Sequence, residues 1–219
     1  MTAHTKRILR KIVAPIRRIG LKNKNFTIIS NNCRGGFIYD IYGLQYRTPT
    51  IGTYFFPNDY IKFCKNLKYY LSINPIPIDV QSSKYKKEIL EKGVKVFVAK
   101  LEDIEVVFAH YDTIENAISK WNRRKKRVNF NNLILKFNDQ NGFKNINFDE
   151  FQEIKNYDNK IFFTANNKYE TNKKCKVVCF DEFREIGYVL DDIKSSFSKI
   201  NIKKYLNCLK TNKESRYEN

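Results

Sequence analysis

Ser30-Asn31-Asn32-Cys33-Arg34-Gly35-Gly36-Phe37 places amides, a thiol, a guanidinium and two glycines directly after a short apolar run. A second dense stretch begins with His110-Tyr111, again at the end of an apolar run, and continues through Lys120, Trp121, Arg123, Arg124 and Arg127 to Asn129 and Asn132. Packing seldom calls for such a mixture of groups. A pocket for a polar, anionic small molecule does.

Each group has a chemistry and a plainer alternative. Lys120, Arg123, Arg124 and Arg127 recur at i, i+3, i+4, i+7 and so share one helical face. Four cations there suit a diphosphate, since Arg forms bidentate hydrogen bonds to phosphate oxygens; a solvated basic face is the alternative. Asn31, Asn32 and Arg34 suit sugar hydroxyls and phosphate, while Gly35 and Gly36 let a ligand approach the backbone. Thr48, Thr50, Tyr111, Trp121, Asn129 and Asn132 complete the candidate substrate-binding set. His110 can act as a general base at a pocket mouth or serve structure alone. Cys33 is a nucleophile if His110 lies within reach, and otherwise a small buried hydrophobe. Asp139 can serve as a base or hold a Mg2+ or Mn2+ ion carried by a nucleotide diphosphate. The turn chemistry of Asn138-Asp139-Gln140-Asn141-Gly142 accounts for it equally well.

These residues need elements to hold them. The pattern predicts a strand over 26–30 ending in a Gly-rich loop, a helix over 57–71, and a turn at Pro75 and Pro77. A short helix over 85–92 follows, with strands over 94–99 and 104–109. A helix capped by Thr113 runs to about Arg127, because Ile114, Ala117, Ile118 and Trp121 keep helical spacing. Further strands are expected over 133–137, 161–164 and 177–180, with helices over 147–156 and 196–209. Strands separated by helices imply an α/β class: a layered, largely parallel sheet flanked by helices, or two small, intimately packed α/β subdomains.

The domain reading is a basic amphipathic helix over 1–22, one α/β domain over 23–209 with a subdivision open near 93, and a polar tail over 210–219. In the first segment Ile8, Leu9, Ile12, Val13, Ile16 and Ile19 alternate with Lys6, Arg7, Arg10, Lys11, Arg17 and Arg18. Such a helix can lie on an anionic membrane surface or pack on the domain, and Pro15 is expected to bend or break it.

Composition narrows the classes. The chain of 219 residues carries 41 Lys+Arg against 23 Asp+Glu, a net charge of +18 that draws it toward polyanions. No nucleic-acid module is visible, so nucleic acid is a poor partner. The five Cys are scattered and the two His have no zinc-ligand spacing, so no dedicated metal site is expected. The thiols read as reduced and intracellular, and no apolar run reaches the roughly 20 residues of a membrane span.

Taken in order, Asn31-Asn32-Cys33-x-Gly35-Gly36, Thr48-Pro49-Thr50-Ile51-Gly52, His110-Tyr111, the Lys120-to-Asn129 stretch, Asp139-x-Asn141-Gly142 and Asn159-Lys160-Ile161-Phe162-Phe163-Thr164 resemble a bacterial family of unknown function. Its members are often described as exopolysaccharide or capsule biosynthesis proteins, and the resemblance covers about residues 20–190. Members often carry Asp where Asn141 stands, so a metal-binding acidic pair would be weakened here. The resemblance implies a transferase in cell-surface polysaccharide assembly, most simply a cytoplasmic glycosyltransferase. Its donor would be a nucleotide sugar and its acceptor a glycan or lipid-linked sugar, worked at the inner face of the membrane. An acyl or other substituent transferase and a non-catalytic glycan- or membrane-binding protein are the alternatives.

Overall fold

The structure is a computed structural model describing residues 12–169, 174–190 and 199–212. Among the described residues eight strands form two sheets of four. The first contains β1 (Thr27–Ser30), β6 (Leu133–Asn138), β7 (Asn159–Thr164) and β8 (Lys176–Cys179), in the order β1-β6-β7-β8 and parallel throughout. The second contains β2 (Thr53–Tyr54), β3 (Ile76–Ile78), β4 (Phe97–Leu101) and β5 (Ile104–Phe108), in the order β2-β5-β4-β3 and antiparallel.

The parallel sheet is buried on both faces, which is why β6 reads almost continuously apolar. Leu133, Leu135 and Phe137 point to one core with Trp121, Phe55 and Phe63. Ile134 points to the other with Ile28, Phe163 and Phe180. The antiparallel sheet presents Ala99, Val106 and Phe108 to the first core. Its outer face carries Val98 and Val107 against Tyr54, Phe56 and Ile89.

Helices fill the layers: α1 over 12–18, α2 (Gly36–Tyr42), α3 (Pro57–Lys65), α4 (Leu67–Ser72), α5 (Lys86–Glu91), α6 (Ile114–Lys125), α7 (Asn145–Gln152) and α8 (Ile202–Asn207). None of the described helices is long and apolar enough to cross a membrane.

The α/β class holds, and several local expectations change. The second sheet is antiparallel because only Glu102 and Asp103 separate β4 from β5, with Glu102 at φ 56°; so tight a turn can only return the chain antiparallel. The Pro75–Pro77 region is edge strand β3, a position that tolerates a proline lacking a donor. The expected helix over 57–71 breaks at Asn66 (φ −126°, ψ 43°) into α3 and α4. The stretch at Gly36 is helical rather than loop, and ends where Gly43 adopts φ 58°. Residues 12–18 remain helical through Pro15, whose ring is exposed and whose missing N–H removes one hydrogen bond. The final helix is shorter than expected, starting only after Asn201, whose side chain accepts from the Lys204 N–H. Residue 93 falls between α5 and β4, inside the stretch that builds the antiparallel sheet. Residues 1–11 of the basic helix, 196–198 of the last helix and 213–219 of the tail lie outside the described residues.

Candidate functional site

The carboxyl end of β1 turns sharply. Asn32 caps a single 3-10 turn, Cys33–Gly35, its Oδ1 accepting from the Arg34 N–H at 3.1 Å. That oxygen also accepts from Ser30 Oγ at 3.1 Å and from Lys136 Nζ at 3.1 Å. Gly35 allows the turn to lie on the strand, since a Cβ there would sit 2.9 Å from Ser30 Cβ. α2 then starts at Gly36 and faces Ile51, whose Cδ1 would lie 2.8 Å from a Cβ at that position.

The second sheet brings in the other wall. The Gly52 carbonyl accepts from the N–H of Ala109 (2.8 Å) and of His110 (3.3 Å), fixing the chain as it leaves β5. Gly52 has φ 70°, and a Cβ there would press to 3.0 Å from the Tyr111 ring and 3.4 Å from His110 Cβ. Both backbone conformation and close approach call for glycine. Thr113 caps α6, and its hydroxyl accepts from the Asn116 N–H. Along α6, Ala117, Trp121 and Arg124 turn inward at i, i+4, i+7, and Lys120 flanks them.

The result is a cavity of about 340 Å³ lined by Cys33, Gly36, His110, Tyr111, Lys120 and Arg124, and closed by Phe37, Asp40, Tyr46, Ile51 and Gly52. The two dense stretches of sequence meet here. Arg124 is only 7% exposed. Its Nη1 donates to Tyr111 Oη at 2.9 Å and, more weakly, to the Ile51 carbonyl at 3.5 Å, while the guanidinium lies 5.1 Å from the Tyr46 ring centroid. Tyr111 Oη in turn donates to the Ile51 carbonyl. Among the described residues no carboxylate forms an ion pair with Arg124. The carboxylate of Asp40 is engaged by the Tyr46 hydroxyl at 2.5 Å. Burial raises the Tyr111 pKa against the opposing pull of Arg124, so the phenol stays protonated. Lys120 Nζ lies 5.4 Å from the Tyr111 ring centroid.

A guanidinium carries five N–H donors. Burying one without a counter-charge is costly, because desolvation is not offset by an ion pair. Lys120 and Arg124 thus give the cavity two cationic side chains, alongside the Asp40 carboxylate that Tyr46 engages.

The remaining candidates divide. Asn31 is fully buried and clasps the end of β6. Its Nδ2 donates to Asn138 Oδ1 (2.8 Å) and its Oδ1 accepts from the Asn138 N–H (3.2 Å). Thr48 and Thr50 are buried too, their hydroxyls 2.9 Å apart, with Thr50 Oγ1 accepting from the Ser30 N–H. Arg34 stands 5.6 Å over the Phe37 ring. Trp121 is fully buried against Phe55, Phe63 and Phe108, so its ring packs the core and does not line the cavity. Arg123 is exposed on the far side of α6, and Arg127 lies beyond the helix end with Nη1 3.5 Å from the Tyr46 carbonyl. The four cations therefore do not converge: helix geometry puts Lys120 and Arg124 on the cavity and turns Arg123 away. Asn129 and Asn132 precede β6 and bond to the amino end of β1: the Asn129 N–H donates to Thr27 Oγ1, and the Thr27 N–H donates to the Asn132 carbonyl. In a parallel sheet, loops entering a strand sit opposite those leaving one.

Asp139 lies in a second cavity of about 620 Å³, which shares no lining residue with the first. Its carboxylate accepts from the N–H of Ala165 (2.7 Å) and of Val189 (2.8 Å). Burial lifts its pKa despite those amides. Both oxygens are thus committed to holding loops together. Among the described residues no three His, Cys, Asp or Glu side chains cluster to hold a metal ion.

Sequence reasoning missed Asp40 as a lining residue; it had the stretch containing Tyr46, Ile51 and Gly52 without giving these three a role, and it missed Lys136 as the group that pins Asn32. The Lys136 signal was available, since a lone cation inside an apolar strand must be held by something.

A Haemophilus influenzae (strain Rd) protein described as uncharacterized is 27% identical to this chain over 185 residues. The match covers 84% of this chain and 81% of that protein. Residues 4–211 match the family model described as Domain of unknown function (DUF1919), and the chain belongs to that family.

Proposed function

We propose that the chain is a glycosyltransferase of bacterial cell-surface polysaccharide synthesis that binds the diphosphate of a nucleotide sugar in the Arg124 cavity. The observation that carries this reading is the buried Arg124 guanidinium, which lines the cavity beside Lys120 and forms no ion pair with a carboxylate among the described residues. The resemblance of the ordered motifs to polysaccharide-assembly proteins supplies the glycan.

In the reaction, the acceptor hydroxyl oxygen attacks the anomeric carbon. The bond from that carbon to the phosphate oxygen breaks, and the diphosphate leaves with the electron pair. Arg124 and Lys120 neutralise the charge that grows on the leaving oxygens, the most effective kind of stabilisation in a site that excludes water. His110 takes the acceptor proton. Tyr111 holds Arg124 in place through its Oη. Gly36 and Gly52, carrying no Cβ, let the cavity walls pack closely against Ile51 and Tyr111. Nucleotide sugars are made in the cytoplasm, so the reading places the enzyme there, working on a glycan or lipid-linked acceptor.

Cys33 and His110 line the same cavity, and this favours acyl transfer as the second reading. Thermal shift against nucleotide sugars, with and without Mg2+ or Mn2+, separates the two. A rise in melting temperature with one nucleotide class, lost in Lys120→Ala and kept in Cys33→Ser, supports glycosyl transfer. A rise with acyl-CoA alone, with activity abolished by Cys33→Ser, moves the assignment to acyl transfer.

A further inference from the structure

α1 meets the rest of the chain through its small side. Ala14 is buried against the end of α2, where a Cβ at Gly43 would come within 2.8 Å of Ala14 Cβ. Its exit is clasped by α8: Lys203 Nζ donates to the Ile19 carbonyl (2.7 Å) and Asn207 Nδ2 to the Gly20 carbonyl (2.8 Å). Asn207 Oδ1 accepts from the Lys22 N–H at 2.8 Å. Held this way, the helix turns its large residues outward. Ile12 and Ile16, four apart on the helix, and Ile19, in the turn that its N–H closes onto the Ile16 carbonyl, are 65%, 65% and 71% exposed and continue one apolar stripe.

The sequence that flanks the stripe carries charge of one sign. The first 25 residues contain eight Lys or Arg, at positions 6, 7, 10, 11, 17, 18, 22 and 24, and the first Asp or Glu of the chain is Asp40. Arg17, Lys22 and Lys24 are exposed beside the stripe, and Lys203 sits at its end. We infer that Ile12, Ile16 and Ile19 form a docking face for an anionic lipid bilayer, inserting their side chains at the headgroup boundary while the flanking cations meet lipid phosphates.

Two features favour a bilayer over a second copy of the chain. Three isoleucines cover far less than the roughly 800 Å² each partner gives to a stable protein interface. Two copies at +18 each also repel, whereas an anionic leaflet attracts. An apolar stripe edged by Lys and Arg is the pattern of an interfacial helix. The inference is independent of the reaction proposed above.

The experiment is co-sedimentation of the full chain with phosphatidylcholine vesicles, with and without phosphatidylglycerol. The expected result is binding to the anionic vesicles only. Ile12→Ser/Ile16→Ser/Ile19→Ser should weaken it roughly a hundredfold, because each apolar side chain adds its own transfer energy. The melting temperature should not change, since the three side chains are already in water. Absence of wild-type binding overturns the inference, and so does a triple variant that binds like wild type. A dimer in sedimentation velocity that the triple variant dissolves overturns it as well, by assigning the face to a second copy.

Discussion

Arg124→Met separates a residue kept for a ligand from one kept for the fold. The substitution retains length and apolar stem but removes the buried charge. Losing the hydrogen bond to Tyr111 Oη removes about 1 kcal/mol of stability. Losing the cation–π contact with Tyr46 removes about 1 kcal/mol more. Tyr111 keeps its bond to the Ile51 carbonyl, so no donor is stranded. Against these losses stands the desolvation penalty of a guanidinium with no carboxylate partner among the described residues, several kcal/mol for a buried ion. The account predicts stability unchanged or raised by about 1–2 kcal/mol. In a chain of this size that is a melting temperature up to roughly 8 °C higher. Anion binding should move the other way. Two charge-assisted hydrogen bonds of about 1.5–3 kcal/mol each disappear, a loss of more than roughly a hundredfold in affinity. Differential scanning calorimetry and a binding titration on the same samples read both effects. A variant that melts well below wild type while binding donor normally would refute the reasoning, and would make Arg124 a strut.

Further outcomes follow from the same geometry. Asn31→Ala should lower stability by about 2–4 kcal/mol in urea unfolding, because it removes the buried bonds to the Asn138 N–H and Oδ1; a change near zero would show that the two strand ends are held some other way. For Asp139, burial raises the folded pKa above the unfolded value near 3.9. Its contribution to stability is therefore full below the unfolded pKa and is lost as pH rises through the folded pKa. The stability gap between wild type and Asp139→Asn should accordingly be wider at the acid end of that window than at neutral pH. A gap that widens toward neutral pH contradicts this. Gly43→Ala should destabilise by about 1–2 kcal/mol from its left-handed φ alone, with more from the approach to Ala14 Cβ; equal melting curves would mean that α1 is not held against α2.

How much could be read from the chain depended on where the signal was local. The parallel strands were legible because burial on both faces leaves a dense apolar run, as in Leu133–Asn138. α6 was legible from its spacing and the Thr113 cap, and its contribution of Lys120 and Arg124 to the pocket came with it. Choosing among the adjacent arginines required knowing which face was buried. Ala117, Trp121 and Arg124 lie on that face, so a tryptophan counted as a binding residue proved to be core. α2 was hidden by the glycines at its start, which read as loop chemistry although they serve close packing on Ser30 and Ile51. The amides divided for a non-local reason. Asn31 and Asn32 look like sugar-binding groups in isolation. Their partners, Asn138, Lys136 and Gln140, stand more than a hundred positions away.

The central claim is that the cavity around Arg124 binds a phosphorylated donor. Its most direct test is calorimetric titration of nucleoside diphosphates and their sugar conjugates into wild type and Arg124→Met. The account predicts saturable binding at one site per chain, weakened by added salt and more than roughly a hundredfold poorer in the variant. Donor binding of equal strength in both proteins would place the anion site elsewhere and contradict the account.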